Sequence, residues 1–256
     1  MIRILYCSSS SACLELKNKN PYYAPAPYTV LVDGKEAFRS ETNVFSLYDL
    51  RPDTEYTVVV RPDSGEEQTV LIRTKSETCC VSVKDFGAVG DGVHEDTGAL
   101  QAAINFLPDG GRLLFPAGTY LTLPLALKSH ITLDLAEGAV LLGSPQRERY
   151  PIISGIAIDP VSGQEVPLAM FEGLEQSSYQ SLLQANCAED IAIVGRGTID
   201  GNGQNGGWWV GFHDFPASRP RVIFLNRCKG VTLHGVTVAN GPAWHIHPCF
   251  SRDVSL

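Results

Sequence analysis

The sequence predicts an all-β protein of two units, a small β-sandwich over residues 1–76 and a solenoid of stacked strands over residues 81–256. Three observations predict it. Up to about residue 76, short β-prone runs alternate with irregularly spaced turn signals. From Val81 to Ile104 the chain reads as a short strand, a glycine-rich turn and the start of a helix. Beyond that, an apolar–small–apolar triplet recurs as Ile131-Thr132-Leu133, Ile191-Ala192-Ile193, Val231-Thr232-Leu233 and Val254-Ser255-Leu256, a repetition that marks a solenoid.

In the first unit, Val30-Leu31-Val32, Val58-Val59-Val60 and Val70-Leu71-Ile72 are predicted strands, punctuated by Asp33-Gly34, Asp53-Thr54 and Asp63-Ser64-Gly65. Polar Lys75-Ser76-Glu77-Thr78 marks the boundary. In the second unit, Asp96 or Thr97 is positioned to cap a helix, and Ala99, Leu100, Ala103, Ile104 and Leu107 fall on one helical face. Such a helix covers the open end of a solenoid, whose strand edge would otherwise invite pairing. Capping and turn roles are expected of Asp91 and Asp96 in preference to metal ligation.

Each triplet follows a turn-tolerant residue: His130, Asp190, Gly230 and Asp253. Second strands are predicted at Ala139-Val140-Leu141, Thr198-Ile199 and Val236-Thr237-Val238. The triplets are separated by 60, 40 and 23 residues, so the shortest interval is one bare coil and the longer ones leave room for insertions at 144–181 and 201–218. Alternation sends one side chain of each pair into the coil, and neighbouring coils make a continuous core. Cys187, Cys228 and Cys249 each precede a triplet and are expected to stack at one interior corner.

The composition bounds the function. At 256 residues and 44% hydrophobic, the chain has enough apolar material for a real core. A net charge of −8 argues against nucleic acid as a partner. No apolar run approaches the roughly 20 residues of a membrane helix, so no membrane partner is expected. The apolar stretch in Met1–Ser10 is too short for a signal peptide or for a lipoprotein Cys7. As written the chain reads as cytoplasmic, and as extracellular or periplasmic if its true start differs. The seven cysteines include no Cys-x-x-Cys pair and are read as reduced, mostly buried thiols, with no zinc or redox motif.

Leu50-Arg51-Pro52-Asp53-Thr54-Glu55-Tyr56-Thr57-Val58 resembles the signature of fibronectin type III domains. The resemblance implies a fibronectin III-like β-sandwich in which the Tyr56 hydroxyl ties back to upstream backbone, a tyrosine corner.

The second unit carries a longer pattern. It comprises Phe115-Pro116-Ala117-Gly118-Thr119-Tyr120, then Gly195-Arg196-Gly197-Thr198-Ile199-Asp200-Gly201-Asn202-Gly203 with Trp208-Trp209, then Arg219-Pro220. Asn240-Gly241-Pro242-Ala243-Trp244-His245-Ile246-His247-Pro248 closes it. In this order the segments resemble the polygalacturonases of glycoside hydrolase family 28, within the pectate-lyase-like enzymes. Gly241 stands where that pattern has Ser.

The resemblance implies a single-stranded right-handed parallel β-helix, no cofactor, and hydrolysis of α-1,4 bonds between galacturonic acids with inversion. The partner it implies is a pectic polysaccharide or an oligogalacturonide. Inversion needs an acid for the leaving oxygen and carboxylate help for a water on the opposite face. The family's aspartates lie in Asn-Thr-Asp and Asp-Asp motifs, with Gly-His-Gly and Arg-Ile-Lys further on, and none of these strings occurs here. They are expected beyond Leu256. The chain is therefore read as C-terminally incomplete and inactive as given, with no residue assigned to catalysis. Asp200 is read as a turn residue, and no metal is predicted.

Substrate-binding candidates are His245, His247, Trp208, Trp209 and Arg219. Residues 182–256 hold six Lys/Arg and five Asp/Glu, a net +1 that leaves −9 elsewhere, so a polyanion would favour this half. Arginine suits bidentate carboxylate recognition, against the plainer reading of solvated surface charge. His245 and His247, two apart on a strand, share a face, with Trp244 and Ile246 on the other; His247 either binds substrate or is a satisfied structural histidine. Trp208 and Trp209 either stack on sugar rings or pack their loop. Two other readings stand beside the leading one: a β-helix hydrolase acting on another pectic polymer such as rhamnogalacturonan, and a non-catalytic carbohydrate-binding or structural β-helix.

Overall fold

The computed structural model describes residues 1–158 and 163–256. The chain divides into two compact units, Met1–Glu77 and Thr78–Leu256.

The first unit is a two-layer β-sandwich. One antiparallel sheet comprises Ile2–Cys7, Ala12–Leu16 and Val44–Leu47; the other runs in the order Lys35–Thr42, Tyr23–Val32, Glu55–Pro62, Gln68–Arg73. Leu14 and Phe45 from the first sheet meet Tyr28, Val30, Val58, Val60 and Ile72 from the second. Asp33 and Gly34, at φ 48° and 77°, form the tight turn between two strands, a conformation short polar residues and glycine accept. The Tyr56 hydroxyl accepts a hydrogen bond from the Arg51 amide at 2.8 Å, the geometry of a tyrosine corner. The opening hairpin was not foreseen. Its turn is four buried serines, where Ser8 Oγ accepts from the amides of Ser10 and Ser11.

The second unit is a right-handed parallel β-helix of three sheets. The longest contains, in order, Cys80–Ser82, Gly111–Phe115, Ile131–Leu135, Glu189–Gly195, Lys229–His234 and Arg252–Ser255. The second contains Asp91–Glu95, Gly118–Thr122, Ala139–Gly143, Thr198–Asp200 and Thr237–Ala239. The third contains Leu125–Ala126, Leu183–Asn186, Ile223–Asn226 and Ile246–Cys249. The triplets stack in register, Ile131 on Ile191, Ile191 on Val231 and Val231 on Val254. The residues before them, His130, Asp190, Gly230 and Asp253, all have positive φ, between 52° and 68°. Interior side chains such as Leu113, Leu133, Ile193 and Leu225 are fully buried, each worth roughly 1.5–3 kcal/mol relative to exposure.

The helix Thr97–Phe106 buries Leu100, Ala103 and Ile104, with Leu107 following. Asp96 does not cap it. Its buried carboxylate instead accepts from the amides of Val89 and Gly90, at 2.6 and 2.9 Å, and so braces the glycine-rich turn. Thr97 Oγ1 likewise accepts from the Leu123 amide. Asp91 accepts from the amides of Val93 and His94 and pairs with His94 Nδ1 at 2.6 Å.

The expected cysteine stack does not form. Cys249 is in register with Asn226 and, through it, with Asn186, so Cys187 lies one position later, sharing left-handed φ near 50° with Arg227 and Phe250. The cysteines lie four, three and five residues before their triplets, so they occupy three neighbouring columns. Cys228 and Cys249 are buried and Cys187 is exposed. All seven cysteines are free thiols, but only Cys13, Cys228 and Cys249 are buried, fewer than expected.

Candidate functional site

The two long intervals between triplets project from the coils as insertions. In the first, short antiparallel pairs join Ile152–Ile153 to Ser178–Tyr179, Ile156–Ile158 to Glu165–Pro167, and Met170–Phe171 to Leu174–Glu175. The second carries a single short turn of helix, Phe212–Asp214. Between them opens a cleft of about 710 Å³, lined by Phe171, Glu172 and Gln176 from one insertion and by His213, Phe215 and Arg219 from the other side.

Arg219 and Trp209 are brought together. The guanidinium carbon lies 4.0 Å from the ring centroid of Trp209, which is 54% exposed. Arg219 also donates from Nη1 to the Pro242 carbonyl at 3.0 Å, a second contact that holds the guanidinium at the aromatic ring. Partial burial pushes its guanidinium pKa down.

Trp208 is not a sugar platform. It is fully buried against Tyr150 and Tyr179, at centroid distances of 5.3 and 5.0 Å, with Phe215 at 6.2 Å. Adjacent positions in this loop take opposite directions, so one tryptophan anchors the insertion and the other stays at the surface.

The two histidines part company. His245 lies before its strand and is exposed; its Nε2 accepts from the Gly241 amide at 3.3 Å, a local turn contact. His247 is half-buried on the outer side of the strand Ile246–Cys249. Its ring meets Trp244 edge-on at 4.8 Å and Phe224 at 5.2 Å. Trp244 is therefore packed with His247 and is not on the opposite face, because residue 244 precedes the strand and does not follow its alternation. Burial, with the nearby Arg221 charge, pushes the His247 pKa down. Its Nδ1 is buried with no hydrogen-bond partner among the described residues.

Arg221 was not singled out by the sequence. It is 2% exposed and surrounded by Phe171, Trp244 and Phe224, at 5.4, 5.6 and 5.9 Å from their centroids. It donates to Ser178 Oγ at 3.1 Å and to the Met170 carbonyl, while Nε is buried with no hydrogen-bond partner among the described residues. Burial pushes its pKa down to about 10. Phe171 and Trp244 stack nearly parallel, at 11°, and carry this cation beneath one wall of the cleft. Only the number of arginines was readable from the sequence, because burial of a particular one depends on an insertion folding over it.

Asp200 is committed to its turn. One carboxylate oxygen accepts from the Asn202 amide at 2.7 Å and the other from Asn240 Nδ2 at 2.8 Å. The arrangement at the cleft offers cationic and aromatic surface, the chemistry that holds a carboxylate-bearing ring.

The fold and site together define a pectate-lyase-like β-helix. A family described as rhamnogalacturonase A/epimerase, pectate lyase-like, matches residues 80–155. A probable polygalacturonase from Vitis vinifera is 36% identical over 183 residues, covering 68% of this chain and 35% of that protein. An exo-poly-alpha-D-galacturonosidase from Dickeya chrysanthemi is 34% identical over 160 residues, covering 60% of this chain and 26% of that protein. The solved family 28 exopolygalacturonase from Yersinia enterocolitica superposes with a TM-score of 0.64 at 23% identity, over 94% of this chain and 55% of that one. The chain thus spans about a third or less of the two sequence relatives. Its sequence is similar to those of polygalacturonases, and its fold to that of a family 28 exopolygalacturonase.

Proposed function

We propose that the β-helix unit belongs to a pectin-degrading glycoside hydrolase that cleaves α-1,4-galacturonosidic bonds with inversion, and that these 256 residues supply polymer recognition. The observation that carries the reading is Arg219, which lines the cleft and lies on the exposed Trp209 ring. A galacturonate unit offers a carboxylate to the guanidinium and an apolar ring face to the indole, and a neutral sugar offers only the second. His247 and His245 are assigned supporting roles, His247 through packing on Trp244 and His245 through the Gly241 turn.

No residue of the chain is assigned the acid or base role. The four sequence motifs in which the family's catalytic groups lie are absent from it. The chain alone is therefore expected to bind polygalacturonate without releasing reducing sugar. Release of reducing ends by the purified 256-residue chain would overturn the second half of this reading. Failure to bind polygalacturonate in preference to rhamnogalacturonan or a neutral glucan would overturn the first.

The unit Met1–Glu77 is read as a fibronectin type III-like module, supported by its two-sheet core and the Tyr56–Arg51 bond.

A further inference from the structure

A second charged surface lies at the turn between the third and first sheets of the β-helix, formed by none of the residues that line the cleft. Here successive coils align two columns. The first holds Cys187, Arg227 and Phe250, all in the left-handed region with φ near 50°. That backbone directs these side chains outward at a corner. The second column holds Glu189, Lys229 and Arg252, paired in register across parallel strands. An open groove of about 350 Å³ runs between the columns.

Arg227, Lys229 and Arg252 are all exposed, and none makes an ion pair among the described residues. Glu189 is the one carboxylate lining the groove. Asp190 and Asp253 follow on the same strands, and Asp190 is turned toward His130 at 3.7 Å. Phe250 is 62% exposed, with the Arg227 guanidinium 5.9 Å from its ring centroid. The groove therefore repeats in miniature the pairing of the cleft, an arginine against an open aromatic face, and adds two cations stepped along the solenoid axis. Neighbouring coils lie about 4.8 Å apart, so the cations are spaced on the scale of single sugar units.

We infer that this groove is a secondary binding site for a uronate oligosaccharide, in which Arg227, Lys229 and Arg252 take carboxylates and Phe250 takes a ring face. It rests on the proposal that the polymer is a polyuronate. The rest of the chain outside 182–256 carries net −9 and repels such a polymer, so a local run of unpaired cations would orient it. The site holds no catalytic group; its work is to retain the chain on its substrate.

The test is affinity electrophoresis of the 256-residue chain through gels containing polygalacturonate, fully methyl-esterified pectin or double-stranded DNA. Three proteins are compared: the parent, the patch variant R227Q/K229Q/R252Q and the cleft variant W209A/R219Q. All three patch positions are exposed, so folding should persist; an unchanged thermal melt checks this, and K229E alone provides a milder second variant. The patch variant should bind polygalacturonate roughly threefold or more weakly at low salt, with the loss fading at high salt. The cleft variant should weaken binding separately and retain the patch contribution. Unchanged retention of the patch variant, with the parent binding well, overturns this site alone. Equal retention of the parent by DNA overturns the uronate assignment in favour of a general polyanion surface. No retention of the parent by polygalacturonate overturns the functional proposal along with it.

Discussion

The guanidinium of Arg219 lies 4.0 Å above the ring of Trp209, whereas that of Arg221, two residues on, is closed inside Phe171, Trp244 and Phe224. Two arginines of one short segment thus serve opposite ends, one facing the cleft and one supporting its wall. Alternation would put residues two apart on one side; both precede the strand Ile223–Asn226, and the difference comes from the first insertion, whose Met170 carbonyl and Ser178 hydroxyl fold over Arg221.

Replacing Arg219 by Gln, or Trp209 by Ala, should each weaken polygalacturonate binding by roughly three- to tenfold, the scale of one exposed cation–π or charge contact. Binding of methyl-esterified pectin should respond to Trp209→Ala and hardly to Arg219→Gln. Titration calorimetry against both polymers checks the split.

Arg221 is a buried cation without a carboxylate partner among the described residues, so its packing should matter more than its charge. Arg221→Met keeps the volume under Phe171 and Trp244 and removes an Nε that has no hydrogen-bond partner among the described residues. It should cost less than about 1.5 kcal/mol, or stabilise, whereas Arg221→Ala should cost about 2–5 kcal/mol through the void it leaves. Denaturant melts of both variants decide it; a Met variant as unstable as the Ala variant would show that the charge itself holds the wall.

Trp208→Ala should destabilise by about 3–5 kcal/mol, as loss of a fully buried aromatic does. Gly206→Ala should be costly too, because a Cβ there would come within 2.3 Å of Trp208 Nε1. Trp209→Ala, by contrast, should leave the melting temperature nearly unchanged. Three thermal melts side by side separate the anchoring tryptophan from the exposed one.

Acidification should destabilise the β-helix through His247. Unfolded imidazole titrates near 6.5, and folded His247 titrates lower, chiefly because it is buried and secondarily because Arg221 is near. Between those two values the unfolded chain binds more protons, so stability rises with pH there and is lost as the pH falls through the window. Burial moves His234 in the same direction. The exposed His94, raised by its bond to Asp91, opposes them: its contribution is present below its unfolded value and lost as the pH rises through its folded one. His247→Gln should therefore melt with a flatter pH dependence below 6.5 than the parent, measured in matched buffers.

Gly195 tests the coil geometry. It has φ 111°, and a Cβ there would meet the Leu135 carbonyl oxygen at 2.1 Å, so Gly195→Ala forces neighbouring coils apart. A loss of several kcal/mol, or failure to fold, is expected in a urea melt.

Much of the solenoid was legible because its cause is local and repeated. Ile131, Ile191, Val231 and Val254 come into register since each coil must put an apolar residue at the same interior place, and a one-residue slip would turn the whole set outward. The capping helix and the Asp33-Gly34 turn were legible for the same reason, as they depend on neighbours in sequence.

The sequence by itself therefore determined the two units, the coil phase and the family pattern. Only the tertiary structure decided which of Trp208 and Trp209 is exposed, which of Arg219 and Arg221 is buried, and that Asp96 braces a turn and does not cap a helix. It also decided that the three cysteines fall in different columns. The physical reason is common to all of them. Periodicity dictates direction only within a regular strand, whereas these residues lie in insertions, corners and strand entries. There the direction of a side chain is settled by whatever distant segment packs over it.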